Sequence, residues 1–290
     1  MSLLNVIILA IVQGMAELLP VSSSAHVVVA EKLLGLDPSS PPLTLLLVML
    51  HTGTMFAVIA YFWPQWRAAY FQSTAAFRSV ALQIVIATAC TAVIGLAIAQ
   101  LIEKTVLRGV PHAAIEDLFS HLEFMAPALA AAGVLIVIAG IHGDRRLTSA
   151  TATAAGEVDA RRAGVIGAVQ GLCLPFRGFS RSGATISMGM LLGVAKPQAE
   201  AFSFALAVVL TPPVIAREIL RLVRAAHASG TTDLGSVALL CLCGAVVAFV
   251  AGLLALSWLS RWLETGRWYL FGVYCLIASA AVALLHRAGY

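Results

Sequence analysis

Charged residues are scarce in this sequence. Only 11% of its 290 residues are Asp, Glu, Lys or Arg, whereas soluble globular proteins carry about 25%. Hydrophobic residues make up 60% of the chain, and its mean hydropathy is +0.95. These values exclude an ordinary soluble protein and predict a single integral membrane domain over residues 1–290.

The sequence also lacks three features that would mark other classes of protein. The 18 basic residues are scattered among 14 acidic ones and form no basic stripe. We therefore expect no nucleic-acid partner. The five cysteines lack the paired spacing of a metal site, since Cys241 and Cys243 have no second pair. The opening MSLLNVIILAIVQG lacks the basic start of a cleaved signal peptide.

Long apolar runs, in contrast, are abundant. A membrane-spanning helix needs about 20 mostly apolar residues. Six stretches meet this length: 43–63, 80–102, 123–142, 200–222, 234–257 and 268–287. The predicted fold class is therefore all-α, a polytopic membrane protein with six transmembrane helices joined by short loops.

Two further apolar stretches are each interrupted by a polar break. Residues 3–34 are broken at Pro20 and the serines that follow it, and residues 164–195 are broken at PFRGFSRSG (175–183). The arms on either side are too short to cross a bilayer. Non-helical backbone at membrane depth must be covered by protein or water. We therefore expect two re-entrant helical hairpins.

The two breaks resemble each other. AIVQGMAELLPVSSSAH (10–26) and GAVQGLCLPFRGFSRSGAT (167–185) both run from Val-Gln-Gly through a proline to a serine-rich turn. Three predicted spans follow each break, which places the breaks at opposite membrane faces. This pattern predicts an inverted-topology repeat, about 1–142 and about 164–290, with the site at the interface of the halves. Chance similarity between two short turns is the alternative.

Loop charge predicts the orientation. Nine basic residues fall on the side opposite the N-terminus: Arg67, Arg78, Arg145, Arg146, Arg161, Arg162, Lys196, Arg261 and Arg267. The N-terminal side holds Lys32, Lys104, Arg108, Arg224 and Arg287, with Arg217 and Arg221 at its margin. By the positive-inside rule, both termini lie outside the cytoplasm.

The first break carries a carboxylate among apolar residues. Gln13 and Glu17 are four residues apart and share a helix face. An ionisable group at membrane depth is expensive and by default marks function. The alternative is structural: Pro20 ends the first arm, and Ser22 caps the second. For Ser22 alone, the capping role is the preferred interpretation.

Ser23 and His26 lie three residues apart, within one helical turn. A serine becomes a strong nucleophile when a base takes its proton, and an imidazole oriented by a carboxylate is such a base. The predicted catalytic residues of the first break are therefore Glu17, Ser23 and His26. A hydrogen-bonded helix start is the alternative, and His26 as the nucleophile also stays open.

The second break supplies positive charge. Arg181 lies between two serines, and free N–H groups at the start of the next helix form an anion site. An ordinary loop charge fits Arg177 better than Arg181. The predicted phosphate-binding residues of both breaks are Ser22, Ser24, Arg177, Ser180, Ser182, Gly183 and Thr185. Such groups inside an apolar bundle favour a phosphate carried on a hydrophobic tail.

These motifs resemble those of the undecaprenyl-diphosphate phosphatases of the bacitracin-resistance type. QGMAELLPVSSSAH (13–26) is similar to the first signature of that family, and GFSRSGATISMGMLLGV (178–194) is similar to the second. HTGTMFAVIAYFW (51–63) and EAFSFALAVVLTPPV (200–214) also resemble family segments. The similarity runs almost from end to end.

The resemblance implies removal of one phosphate from undecaprenyl diphosphate, which yields the lipid carrier of cell-wall synthesis. It also implies a divalent cation, Mg²⁺ or Ca²⁺, with Gln13 and Glu17 as expected ligands. The site is expected in the bacterial inner membrane, open to the periplasm, with lipid as the partner. Glu17, Ser23, His26 and Arg181 match the family's functional positions, and the sequence leaves a homodimer open.

Two positions depart from the family pattern. Ala25 stands where many members have Gly. Phe176 and Arg177 separate Pro175 from Gly178, where relatives have Pro-Gly directly. The spacing of the phosphate loop therefore departs from the family pattern, and Arg177 becomes a candidate second phosphate ligand.

A transporter that flips a polyprenyl phosphate lipid is the alternative function. Inverted repeats with broken helices are also transporter architecture. The enzyme is favoured because Ser23 and His26 would serve no purpose in transport, which needs neither a nucleophile nor a base.

Overall fold

The regular secondary structure of the described residues is almost entirely helical. The computed structural model describes residues 2–37, 40–105, 122–149, 156–229 and 234–289. Its ten helices there are α1 (Leu3–Leu18), α2 (Ser23–Leu33), α3 (Pro41–Tyr70), α4 (Thr74–Thr105), α5 (Leu122–Ser149), α6 (Ala160–Cys173), α7 (Arg181–Leu191), α8 (Lys196–Ser229), α9 (Leu234–Glu264) and α10 (Trp268–Arg287). Within these ranges the only β-type pairing is an isolated bridge between Gly156 and Val194.

Six of these helices are long and apolar enough to cross a membrane. They are Pro42–Tyr70, Thr74–Thr105, Leu122–His142, Lys196–Leu220, Ala238–Glu264 and Trp268–Arg287. The prediction of an all-α polytopic membrane protein with six spans is confirmed. Of the basic residues used for orientation, Arg108 lies outside the described residues, and the side chains of Arg145, Arg146, Arg221 and Arg224 are likewise not described.

The first span is longer than its hydropathy predicts. It was expected to end at residue 63, but α3 runs through Pro64 to Tyr70. The continuation is stabilised by Trp66, whose buried indole N–H donates to the Ala201 carbonyl at 3.1 Å. A tertiary hydrogen bond therefore extends the helix beyond its apolar run.

Both polar breaks interrupt the helices where the sequence predicts. The first separates α1 from α2 over residues 19–22, and the second separates α6 from α7 over residues 174–180. Helix α6 begins at 160 rather than 164 because the Asp159 carboxylate accepts the Arg162 N–H and caps it. Whether the two hairpins are re-entrant in a bilayer stays a prediction.

The helix order repeats once along the chain. Two short helices are followed by three long ones in α1–α5 and again in α6–α10. In this repeat α1 corresponds to α6, α3 to α8, α4 to α9 and α5 to α10. The packing follows the same correspondence: the pair α1–α9 matches the pair α6–α4, and α3 and α5 each pack against their own counterparts, α8 and α10. The repeat boundaries themselves stay a prediction.

Small residues bring the paired helices into backbone contact. A Cβ atom added at Gly14 of α1 would meet the Ala248 carbonyl oxygen and Ala251 Cβ of α9, both at 2.7 Å. A Cβ added at Gly167 of α6 would overlap the Ala87 backbone of α4. Such contacts are typical of helix pairs in membranes, where small residues allow close approach.

We expect Gly167→Ala to destabilise the protein, whereas Gly164→Ala should not. The new methyl at 167 would overlap backbone, and overpacking of this kind costs about 1–3 kcal/mol. At 164 in the same helix the nearest atom, Ile86 Cγ2, is 3.6 Å from the added Cβ. Thermal unfolding of both variants in detergent measures the difference. Equal stability of the two variants would contradict the close contact.

Candidate active site

The two polar breaks meet inside the bundle. The Ser182 hydroxyl donates to the Leu19 carbonyl at 3.2 Å, and the Gly178 N–H donates to the Ser24 hydroxyl at 3.3 Å. Each break thus supplies hydrogen-bonding groups to the other. The structure therefore brings together segments that are more than 150 positions apart in the sequence.

Ser22 determines the direction in which the chain enters α2. Its φ is +69°, in the left-handed region that side-chain-bearing residues rarely adopt. It lies at the N-cap position but makes no side-chain cap; its hydroxyl instead lies 3.3 Å from the Ser24 hydroxyl. The capping interpretation of Ser22 is therefore wrong. Strained backbone of this kind clusters at functional sites.

Glu17 is the centre of the site. Its Oε1 accepts Arg181 Nη2 at 2.6 Å, and its Oε2 accepts the Ser23 hydroxyl at 2.6 Å and Gln13 Nε2 at 3.2 Å. His51 Nε2 lies 3.8 Å from Oε2. Only 16% of the Glu17 side chain and 22% of the Arg181 side chain are exposed. A largely buried carboxylate is thus surrounded by donors from four helices.

These surroundings decide the charges of the site. Burial alone would raise the pKa of the Glu17 carboxyl, but Arg181, His51, Ser23 and Gln13 together lower it below its ordinary value. Burial lowers the pKa of His26, opposed in part by its hydrogen bond to the Ser22 carbonyl. At neutral pH the site therefore holds a charged carboxylate and a neutral imidazole.

His26 is not bonded to Ser23 in this structure. Its Nδ1 lies 2.7 Å from the Ser22 carbonyl oxygen, and its Nε2 lies 2.7 Å from the Tyr274 hydroxyl of α10. Ser23 is the first residue of α2, and its hydroxyl points back to Glu17. The helical-turn spacing of Ser23 and His26 therefore does not produce the expected hydrogen bond.

The remaining residues of the second break mostly build the site rather than line it. Ser180 caps α7 by accepting the Gly183 N–H at 3.2 Å, and Thr185 Oγ1 lies 2.6 Å from Ser203 Oγ. Ser180, Ser182 and Thr185 are buried. Burial raises the pKa of the Glu31 carboxyl, and the positive charge of nearby Arg177 partly opposes this shift. The resulting pKa is about 7.

Two residues at the site were not predicted. His51 lies in the apolar run of α3, where any ionisable side chain is a signal of function, so the sequence could have revealed it. Tyr274 carries no such signal, because a tyrosine in an apolar helix is ordinary. It reaches His26 across 248 positions.

A small, half-open cleft lies beside Glu17 and Arg181. Its other walls come mainly from α3 and α8. The remaining lining residues are Leu18, His51, Thr54, Met55, Val58, Ala207, Val208 and Thr211. The lining of the cleft thus combines charged groups with apolar and hydroxyl side chains.

The donor set bears on the predicted cation. Among the described residues, no group of three His, Cys, Asp or Glu side chains could hold a metal ion. Both Glu17 oxygens already accept hydrogen bonds, although a carboxylate oxygen can accept more than one contact. Mg²⁺ is commonly bound by one or two carboxylates together with substrate phosphates. The residues therefore fit a cation that arrives with a phosphate ligand.

The fold and the site define a class of protein. It is a multi-pass helical membrane protein with an interior site in which a serine hydroxyl faces a carboxylate paired with arginine. An arginine, helix starts and hydroxyls are suited to bind a phosphate.

Comparison with known proteins places the chain within a family. The family model for the bacitracin resistance protein BacA matches residues 6–281, and the chain belongs to this family. It is 56% identical to undecaprenyl-diphosphatase 2 of Acinetobacter baylyi and 34% identical to the undecaprenyl-diphosphatase of Rhodopirellula baltica. Both alignments cover 98% of each chain. The resemblance inferred from the motifs is confirmed.

We expect the Glu17–Arg181 pair to show energetic coupling. Glu17→Gln leaves a largely buried guanidinium without its counter-charge. We expect the free energy of unfolding to fall by about 2 kcal/mol, which is less than the 3–5 kcal/mol lost when a fully buried pair is broken. Arg181→Gln should cost about the same by the converse argument, and the double variant should lose less than the sum. Unfolding by denaturing detergent measures all three free energies.

Glu123 provides the matched control for this cycle. It lies 3.7 Å from His286, and both side chains are 46% exposed. Since exposed pairs contribute little, Glu123→Gln should change stability by less than about 0.5 kcal/mol. Additive losses at Glu17 and Arg181 would contradict their coupling.

Proposed function

We propose that this chain is an integral membrane phosphatase that hydrolyses undecaprenyl diphosphate to undecaprenyl phosphate and phosphate. It would thereby recycle the lipid carrier of peptidoglycan synthesis and confer bacitracin resistance. The observation that carries the proposal is the Ser23 hydroxyl, 2.6 Å from a carboxylate that also pairs with Arg181. Its relatives' names point to the same reaction.

Ser23 is the proposed nucleophile. Its oxygen attacks the terminal phosphorus, and its proton passes to Glu17 Oε2, to which it already donates. The bond from phosphorus to the bridging oxygen breaks, and undecaprenyl phosphate leaves. Phosphoryl transfer depends on positioning and charge more than on a strong base, so a carboxylate of lowered pKa is sufficient. His26 as the nucleophile has less support, because both of its nitrogens are engaged.

Arg181 is the proposed electrostatic partner of the transferring phosphoryl group. In the structure it neutralises Glu17. When Glu17 accepts the Ser23 proton, this pairing weakens, and the guanidinium becomes available to the phosphate oxygens. Such a group stabilises charge that develops in the transition state.

A divalent cation remains part of the proposal. When bound, Mg²⁺ or Ca²⁺ would add positive charge against the diphosphate oxygens. Glu17 would hold it, with the Gln13 side-chain oxygen as the second expected ligand. The protein supplies only part of the ligand set, and the diphosphate supplies the rest.

The proposed location is the bacterial inner membrane, with the site open to the periplasmic side. The larger number of basic residues on the side opposite the N-terminus supports the orientation of the chain, with the N-terminal side toward the periplasm. None of the described contacts favours the transporter alternative. Light scattering on the purified protein in detergent would give its oligomeric state, including the homodimer that the sequence leaves open.

We expect the detergent-purified protein to release phosphate from undecaprenyl diphosphate. Ser23→Ala should lower kcat by about 10³-fold or more, because it removes the nucleophile. Arg181→Lys should lower kcat by about 10²-fold, because it removes the planar fork of donors. Phosphate release against time measures both effects.

Ser257→Ala is the control for the serine variant. Its hydroxyl donates to the Leu253 carbonyl within α9, so we expect normal turnover. Near-normal turnover of Ser23→Ala would rule out the serine mechanism. Wild-type protein that binds the lipid yet releases no phosphate would instead support the transporter.

Removal of divalent cations with EDTA should abolish phosphate release, and Mg²⁺ or Ca²⁺ should restore it. The same cations should tighten binding of undecaprenyl diphosphate by the Ser23→Ala protein, which reports on the site without turnover. Thermal unfolding in EDTA controls for loss of fold. Full release in EDTA would show that the cation has no part in the reaction.

A further inference from the structure

His26 is held at both ring nitrogens by groups other than Ser23. Nδ1 contacts the Ser22 carbonyl oxygen, and Nε2 contacts the Tyr274 hydroxyl, each at 2.7 Å. The two rings are also nearly parallel, with centroids 5.6 Å apart and planes 13° apart. A phenol is thus the partner of one nitrogen of the imidazole.

The carbonyl contact determines which way the second hydrogen bond runs. A carbonyl oxygen can only accept, so Nδ1 carries the proton of the neutral ring. Nε2 then has the lone pair, and the Tyr274 hydroxyl donates to it. The phenol oxygen retains its own acceptor capacity, on a residue that is 46% exposed. The hydrogen-bonded chain therefore runs from the Tyr274 oxygen, which can accept a further proton, to Nε2 of His26.

Helix α10 is fixed where this contact requires it. Cys275, next to Tyr274, is fully buried, and its thiol donates to the Pro20 carbonyl of the first break at 3.3 Å. One turn further on, the Ser279 hydroxyl donates to the Ala126 carbonyl of α5 at 2.6 Å. The first of these bonds attaches the helix that carries Tyr274 to the turn that precedes His26, and the second attaches it to α5.

We propose that Tyr274 and His26 form a two-residue proton relay that activates the water in the second half of the reaction. This inference rests on the proposed function, because it assigns the hydrolysis of a phosphoseryl intermediate at Ser23. Attack through Ser23 needs only Glu17, to which its proton is directed. The second half needs a separate proton acceptor, and the Tyr274–His26 chain supplies one.

In this half of the reaction, the phosphoseryl intermediate is hydrolysed and every proton returns to its starting position. Water attacks phosphorus, and the bond from phosphorus to Ser23 Oγ breaks. The water proton passes to the Tyr274 oxygen while the Tyr274 proton passes to His26 Nε2, giving an imidazolium. Ser23 recovers its proton from Glu17. Loss of the imidazolium proton back through Tyr274 to solvent restores the starting state.

We expect Tyr274→Phe to keep the ring stack but to lower steady-state kcat by about 10²-fold, the lower range for acid–base catalysis. Attack by Ser23 should be preserved, so a rapid burst of one equivalent of undecaprenyl phosphate should precede slow turnover. Phosphoserine at position 23 should accumulate and be detectable by mass spectrometry. KM should not rise, because binding is unaffected.

Two further variants separate a relay from a structural role. Tyr269→Phe, on the same helix and packed against Gly140, should have normal kinetics. Tyr274→Phe in a His26→Gln background should cause no further loss, because both residues act in one step. Normal turnover of Tyr274→Phe, equal slowing of both half-reactions, or additive losses would each overturn the relay. Wild-type protein without phosphatase activity would overturn the proposed function as well.

The hydrogen bond itself can be tested on wild-type protein. In ¹⁵N-histidine-labelled protein, the His26 signals are assigned by their loss in His26→Gln. In the wild-type protein we expect the tautomer with the proton on Nδ1. In Tyr274→Phe we expect the ¹⁵N chemical shift of Nε2 to move toward that of a nitrogen without a hydrogen bond. A proton on Nε2 would overturn the relay, since Nε2 would then donate to Tyr274.

Discussion

A buried carboxylate must find partners, and this requirement at Glu17 organises the structure. An isolated charge in an apolar interior costs so much that the group would otherwise take up a proton. Glu17 avoids this by accepting hydrogen bonds from Gln13 of its own helix, Ser23 of the next and Arg181 of the other half. The donors Ser23 and Arg181 connect α2 and α7 to α1. The interaction that positions the reactive serine therefore also joins the two breaks.

The polar network at the breaks is nested within a rigid apolar scaffold. Around it, α1–α9 and α4–α6 are in backbone contact through glycines such as Gly14 and Gly167. Contacts of that kind leave little freedom for the helices to slide. The hydroxyl groups of Ser180, Ser182 and Thr185 are hydrogen-bonded to backbone groups, and that of Thr185 also contacts the Ser203 hydroxyl of α8. The site is thus held rigid by its surroundings, as catalysis by positioning requires.

Much of this arrangement could be predicted, and the failures have a common cause. Hydropathy revealed the six spans, and Pro20 and the serine-rich turns revealed the breaks, because these signals are local. The pairing of Ser23 with His26 was inferred from helical spacing, but spacing orders only side chains within a helix, and Ser23 begins one. Tyr274 was missed because its role depends on a contact between chain ends, for which an apolar helix carries no mark.

The Glu17–Arg181 pair has a consequence for the order in which the chain is made. Its partners are 164 positions apart, so Glu17 is synthesised, and enters the membrane, long before its counter-charge exists. Until α7 arrives, the first break must stay hydrated or protonated. Final docking of α1 and α2 is therefore a late event of biogenesis, and the site becomes complete only when the second half of the protein has been inserted.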